Sequence, residues 1–278
     1  MDKKGISEKI FFRLLFPVLL ALIWQIMAVY IDKPMVIPRL EAVAEVLAHP
    51  NTKILITGSL FENIVISLVR VTCGFCLAAA VSIPMGILMG YYRFAERFLE
   101  STIESLRPVP PLAWVPLVLA WFGIKSLADW FPKLSVSVVF GGVQFSMIII
   151  ILIGAFFPIL LNTIHGVKSI PKIYIESAKT LGSRGLLLLF KVIIPASLPS
   201  IVTGLRIGMG IGWMCLVAAE MMPGSNAGLG YLIWYAYELL RSDIIVSGMI
   251  VIGVIGFSMD WGFRHVERNR YGWVGRMK

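Results

Sequence analysis

Glu100 and Glu104 stand one helical turn apart, and Arg107 follows three positions later, so a helix here brings both carboxylates to one face and lets Glu104 pair with Arg107. Adjacent carboxylates are the raw material of general acid and base chemistry. No nucleophile, base and orienting group are gathered around them, and a solvated, partly salt-bridged helix end accounts for the same residues. Cys73 and Cys76 have the C-x2-C spacing of a zinc or dithiol site. Their surroundings are apolar, and Cys215 is the remaining cysteine, which leaves no four-ligand set. They read as small buried residues. His49, His165 and His265 are scattered, so no metal site is indicated. What remains is Arg206 and Glu220 in one apolar run, and a polar stretch, Glu176-Ser-Ala-Lys-Thr-Leu-Gly182, followed after nine residues by Val192-Ile-Ile-Pro195. Such a stretch either holds solvent or docks on something.

The elements that must position these groups are membrane spans. The chain of 278 residues is 58% hydrophobic and 15% charged, with a mean hydropathy of +0.85, outside the range of soluble domains. Its net charge of +9 fits cytoplasmic loops that orient a membrane protein better than nucleic-acid binding. The first apolar run lacks a small-residue cleavage site and reads as a retained span. Crossing the hydrocarbon takes about 20 residues. Runs 14–31, 64–91, 134–161, 198–222 and 244–263 qualify, and a sixth at 112–124 must borrow from 98–111. An even number of crossings, with the start inside, assigns 17 lysines and arginines to the cytoplasm and 6 to the outside, leaving Arg70 and Arg206 within spans. Both termini, and the Glu176 loop, are then cytoplasmic.

Within that loop, Ile170-Pro171 opens a helix over 172–181, Gly182 permits the turn that ends it, and 186–194 resumes an apolar face before Pro195. Pro195 and Pro199 bracket re-entry into the bilayer. Arg206 lies about 16 Å along a helix from Pro195, which places its charge near mid-membrane. It suits an anion pathway, since a guanidinium can bind an oxyanion bidentately; pairing with a carboxylate or carbonyl, or snorkelling, is the alternative. Glu220 is too far along the same helix to be its partner and shapes the outer end of that span. Pro108, Pro110 and Pro111 prevent a regular helix, and the carbonyls they free must line a cavity or meet protein, as part of a gate.

The run E-S-A-x3-G-x9-V-x-I-P resembles the cytoplasmic loop signature of permease subunits of bacterial and archaeal ATP-binding-cassette (ABC) importers, E-A-A-x3-G-x9-I-x-L-P. Leu106-Arg-Pro-Val-Pro-Pro111, Trp121-Phe-Gly123, Gly154-Ala-Phe-Phe-Pro-Ile-Leu-Leu-Asn-Thr163, Thr203-Gly-Leu-Arg206, Ala218-Ala-Glu220 and Gly228-Leu-Gly-Tyr231 are similar to the nitrate, sulfonate, taurine and bicarbonate branch. The resemblance implies an all-α permease of the type I importer fold with about six transmembrane helices, in the cell membrane of a bacterium or archaeon. It implies a homodimer working with two ATPase subunits and an extracytoplasmic binding protein, with ATP and Mg bound on the partners and no cofactor on this chain. Segment 164–195 would form the coupling helices. There Glu176, Ser177 and Ala178 would meet the ATPase, Gly182 would give the bend, and Pro195 would close the signature. The chain has no Gly-Lys dipeptide and hence no phosphate loop. Gly204, Gly208 and Gly212 make a close-packing face, at the dimer seam or against a neighbouring span. Where the branch runs from Trp121-Phe-Gly123 almost directly into the fourth span, this chain inserts 125–144, with Trp130 and Phe131 suited to an interface. A secondary transporter or channel working alone is the alternative, but the repeat symmetry and paired intramembrane carboxylates expected of a gradient-driven transporter do not stand out.

Overall fold

Long apolar runs leave the backbone one economical way to satisfy its own N–H and C=O groups away from water, and the chain is accordingly helical nearly throughout. The computed structural model describes residues 3–55, 58–123, 125–126 and 142–271. In chain order the helices are α1 (Lys3–Ile31), α2 (Leu40–Ala48), α3 (Leu60–Tyr91), α4 (Arg93–Leu106), α5 (Val115–Phe122), α6 (Phe145–Lys168), α7 (Lys172–Thr180), α8 (Gly185–Leu188), α9 (Ile194–Glu220), α10 (Leu229–Glu238) and α11 (Ser242–Tyr271). A small antiparallel hairpin, β1 (Lys53–Leu55) with β2 (Gly58–Ser59), precedes α3. Among the described residues four helical segments are long and apolar enough to cross a membrane, and two shorter apolar ones, Leu15–Ile31 and Pro111–Phe122, bring the apolar segments to the six expected.

The core is a sandwich of α3, α6 and α9, with α6 running between the other two. Ile150, Ile151, Val71 and Leu216 are 0% exposed at its centre. Small residues set the spacing, because little hydrophobic force acts between helices in lipid and close van der Waals contact must replace it. A methyl added at Gly204 would come within 2.7 Å of Asn162 Cβ, and one at Gly208 within 2.7 Å of Ile159 Cγ1. The Gly204, Gly208, Gly212 face is therefore packed on α6 of the same chain.

Several boundaries differ from the hydropathy reading. The described helix of the fourth span begins at Phe145, because Gln144 takes the extended conformation of an N-cap (φ −82°, ψ 138°); the expected start at 134 lies outside the described residues. Of the 125–144 insertion, Ser126 pairs with Gln144 in an isolated bridge, whereas Trp130 and Phe131 lie outside the described residues. The third span is broken: α4 ends at Leu106, and Pro111–Trp114 forms a 3-10 turn before α5. Glu104 and Arg107 form no ion pair among the described residues; the pair in that region is Lys168–Glu96. The fifth span is longer than expected. α8 passes through a π-helical turn, Leu189–Ile193, into α9, giving one helical segment from Gly185 to Glu220.

The first span stands apart. Trp24 donates to the Pro38 carbonyl (3.0 Å), Gln25 accepts from the Leu40 amide (2.9 Å), and Ala28 is buried. Phe16, Ile26 and Tyr30 are 71%, 67% and 90% exposed.

Candidate functional site

The polar loop is a helix-turn-helix with two unlike faces. Pro171 caps α7, where its missing N–H costs nothing. The helix ends in a Schellman motif: the Ser183 amide donates to the Ala178 carbonyl (2.9 Å) and the Gly182 amide to the Lys179 carbonyl (3.0 Å). That motif needs a left-handed residue, which Gly182 supplies at φ +84°. Ile175 and Ala178, three positions apart, turn inward onto a cluster formed by Ile87, Val167, Ile170, Leu188 and Ile193. Glu176 and Ser177 face out. Around them the apolar residues Ile173, Tyr174, Leu181, Leu186, Leu187 and Phe190 are also exposed, Leu181 by 88%. Pro195 sits in the first turn of α9, where proline is tolerated.

At the other end of α9 lies a polar knot that the motif reading missed. Arg70 and Glu220 are both 0% exposed and pair at 2.8 Å. Arg70 also donates through Nη1 to the Ala227 carbonyl (2.7 Å) and through Nε to the Gly142 carbonyl (3.0 Å), with Nη2 on the same oxygen. Ser67 donates to Glu220 (2.9 Å) and accepts from the Leu229 amide (2.9 Å). Glu220 Oε2 accepts from the Gly230 amide (2.9 Å), and Asn63 Oδ1 from the Gly228 amide (2.7 Å). Gln144 donates to the Gly224 carbonyl (2.7 Å). A buried charge is tolerable when paired and fully hydrogen-bonded, and this one is. The signal was in the sequence: Asn63, Ser67 and Arg70 recur at helical spacing in an apolar run, and an arginine there requires a partner.

The family described as the binding-protein-dependent transport system inner membrane component matches residues 82–270. The chain belongs to this family. A Methanocaldococcus jannaschii protein named as an ABC transporter permease is 53% identical over 99% of this chain and 98% of its own length. The taurine transport system permease protein TauC of Escherichia coli is 33% identical over 94% of this chain and 88% of its own. The bicarbonate transport system permease protein CmpB of Synechococcus elongatus is 35% identical over 89% and 86%. The fold matches that of the MetNI methionine ABC transporter in an inward-facing form, with a TM-score of 0.54 at 16% identity, over 82% of this chain and 94% of that one. The chain is thus a multi-pass permease of a binding-protein-dependent importer in the cell membrane, a transport subunit and not a catalytic one.

The other residues singled out in this permease are dispersed. Arg206 donates to Glu267 of α11 (2.9 Å), and Thr203 donates to the same carboxylate (2.8 Å). This pair is partly exposed, 28% and 30%, and ties the fifth span to the last. Pro108 and Pro110 are exposed in the break between α4 and α5, with Pro111 half-buried. Glu220 lies inside the knot with both oxygens engaged, so in this conformation it faces no open path. Cys73 and Cys76 are exposed on α3 instead of buried, since that face of the helix is turned away from the bundle; Cys215 is buried. No group of three or more His, Cys, Asp and Glu residues among the described residues could hold a metal ion.

Proposed function

We propose that this permease moves a small anion, of the nitrate, bicarbonate or sulfonate kind, or an organic solute inward, driven by ATP hydrolysis on two separate ATPase subunits docked on segment 164–195. The observation that carries this reading is the outward face of α7 and α8. It combines the Glu176 carboxylate with exposed Ile173, Tyr174, Leu181 and Leu186 on a loop whose inner face is already anchored. An apolar patch rimmed by polar residues is the usual mark of a protein interface. The chain has no phosphate loop of its own, so its energy comes from a partner that binds ATP and Mg. The family description supplies the binding protein as second partner. The name of the bicarbonate relative supports an anion and that of the taurine relative a sulfonate-bearing solute, and Arg206, released from Glu267, is the cation proposed to meet the oxyanion group, beside the Pro108 to Pro111 break as gate. We take the permease to act as a homodimer.

Tagged permease purified from native membranes should bring down an ATPase subunit. Glu176→Lys should retain less than about a tenth of it while keeping its six spans folded, because reversing one charge at a desolvated contact costs well over 1.4 kcal/mol. Wild-type protein arriving without an ATPase would overturn the reading.

A further inference from the structure

The helical segment from Gly185 to Glu220 has 36 residues and spans about 54 Å. It starts in the cytoplasmic loop and ends on a carboxylate that does not stop at its own helix. Glu220 takes the amide of Gly230 in the first turn of α10, where a negative charge is favoured by the helix dipole. The two preceding amides at that helix start, Gly228 and Leu229, are taken by Asn63 and Ser67 of α3. The start of α10 is thus held by side chains of α3 and α9, all three of which are 0% exposed. Gly228 and Gly230 are required by the same joint, since a methyl at either would run into the Glu220 side chain. Arg70 closes it, bridging Glu220 to the carbonyls of Ala227 and Gly142, the latter just ahead of α6.

α10 has 10 residues, about 15 Å, too short to cross the bilayer. It sits at the outer end, between α9 and α11. A fully buried, fully bonded charge pair cannot exchange its partners for water or slide by small steps, so the end of α9 and the start of α10 must move together. We propose that Arg70 and Ser67 are positioning residues of the transport cycle: they make Glu220 a rigid joint through which displacement of the cytoplasmic loop, carried along α9, repositions α10 at the outer mouth. This rests on the importer reading above.

The test uses the permease with its ATPase subunits, in a background lacking Cys73, Cys76 and Cys215, with one spin label at Trp234→Cys on the exposed side of α10. Trapping the ATPases with ADP and vanadate should change the label's line shape in the parent complex. In Ser67→Ala and in Arg70→Lys, which keep the charge pair, the trapped nucleotide should stay at the parent level while the line-shape change falls to less than half. The milder Ser67→Ala answers the question even where Arg70→Lys fails to fold. An unchanged response in the variants, or no response in the parent, overturns the joint. A parent complex that holds no ATPase instead removes the importer reading, and the joint with it.

Discussion

At the cytoplasmic end of α9 the chain leaves Ile173, Tyr174, Leu181 and Phe190 uncovered around an exposed carboxylate; at its outer end the side chains of Asn63, Ser67, Arg70 and Glu220 are sealed from solvent and bonded within the chain. The same long helix joins both. Apolar groups outside and polar groups inside invert the usual arrangement in water, and each inversion has its reason. The outer knot completes the protein by itself, whereas the cytoplasmic loop has surface left over for another subunit. A carboxylate alone therefore does not reveal its role; what surrounds Glu176 and Glu220 does.

Substitutions should divide the two ends cleanly. Arg70→Ala leaves Glu220 buried without a counter-charge and should destabilise the permease by about 3–5 kcal/mol, read as a large drop in the midpoint of thermal unfolding in detergent. A shift as small as that of an exposed pair would mean that water reaches the knot. Gly182→Ala forces a side chain into the left-handed region at φ +84° and should cost about 1–2 kcal/mol. Because nothing lies within 4 Å of the added methyl, that cost should appear as faster amide exchange confined to 172–188, and not as global unfolding. Leu181→Ser removes an 88% exposed side chain and should change stability by less than about 0.5 kcal/mol. It should still lower the amount of ATPase recovered with the permease, and equal recovery would take Leu181 out of the docking face.

Much of this was readable along the chain, and what was not has a common cause. Hydropathy located the spans because each is encoded locally. The Glu176 loop was legible because its turn glycine and its helix start at Pro171 lie close together in sequence; Ala178, expected to meet the ATPase, instead turns inward with Ile175 onto a cluster that only the fold assembles. Hydropathy alone runs the fourth span on through the apolar residues before 145, and only the extended backbone at Gln144 shows where α6 begins. The partner of Arg70 lies 150 positions away, beyond any periodicity. Half of that site was still visible as the stripe Asn63, Ser67, Arg70, and the rest needed the fold to bring α9 and α10 to it. Arg206 followed the same rule: its position in the span was legible, its carboxylate on α11 was not.

The slight attachment of α1 bears on how the protein is made. Lys3, Lys4, Lys9 and Arg13 equip this helix to set the orientation of the spans that follow it. Its described side chains add little to the α3, α6 and α9 core. Direction of insertion and cohesion of the folded bundle are therefore encoded in different stretches of the polypeptide.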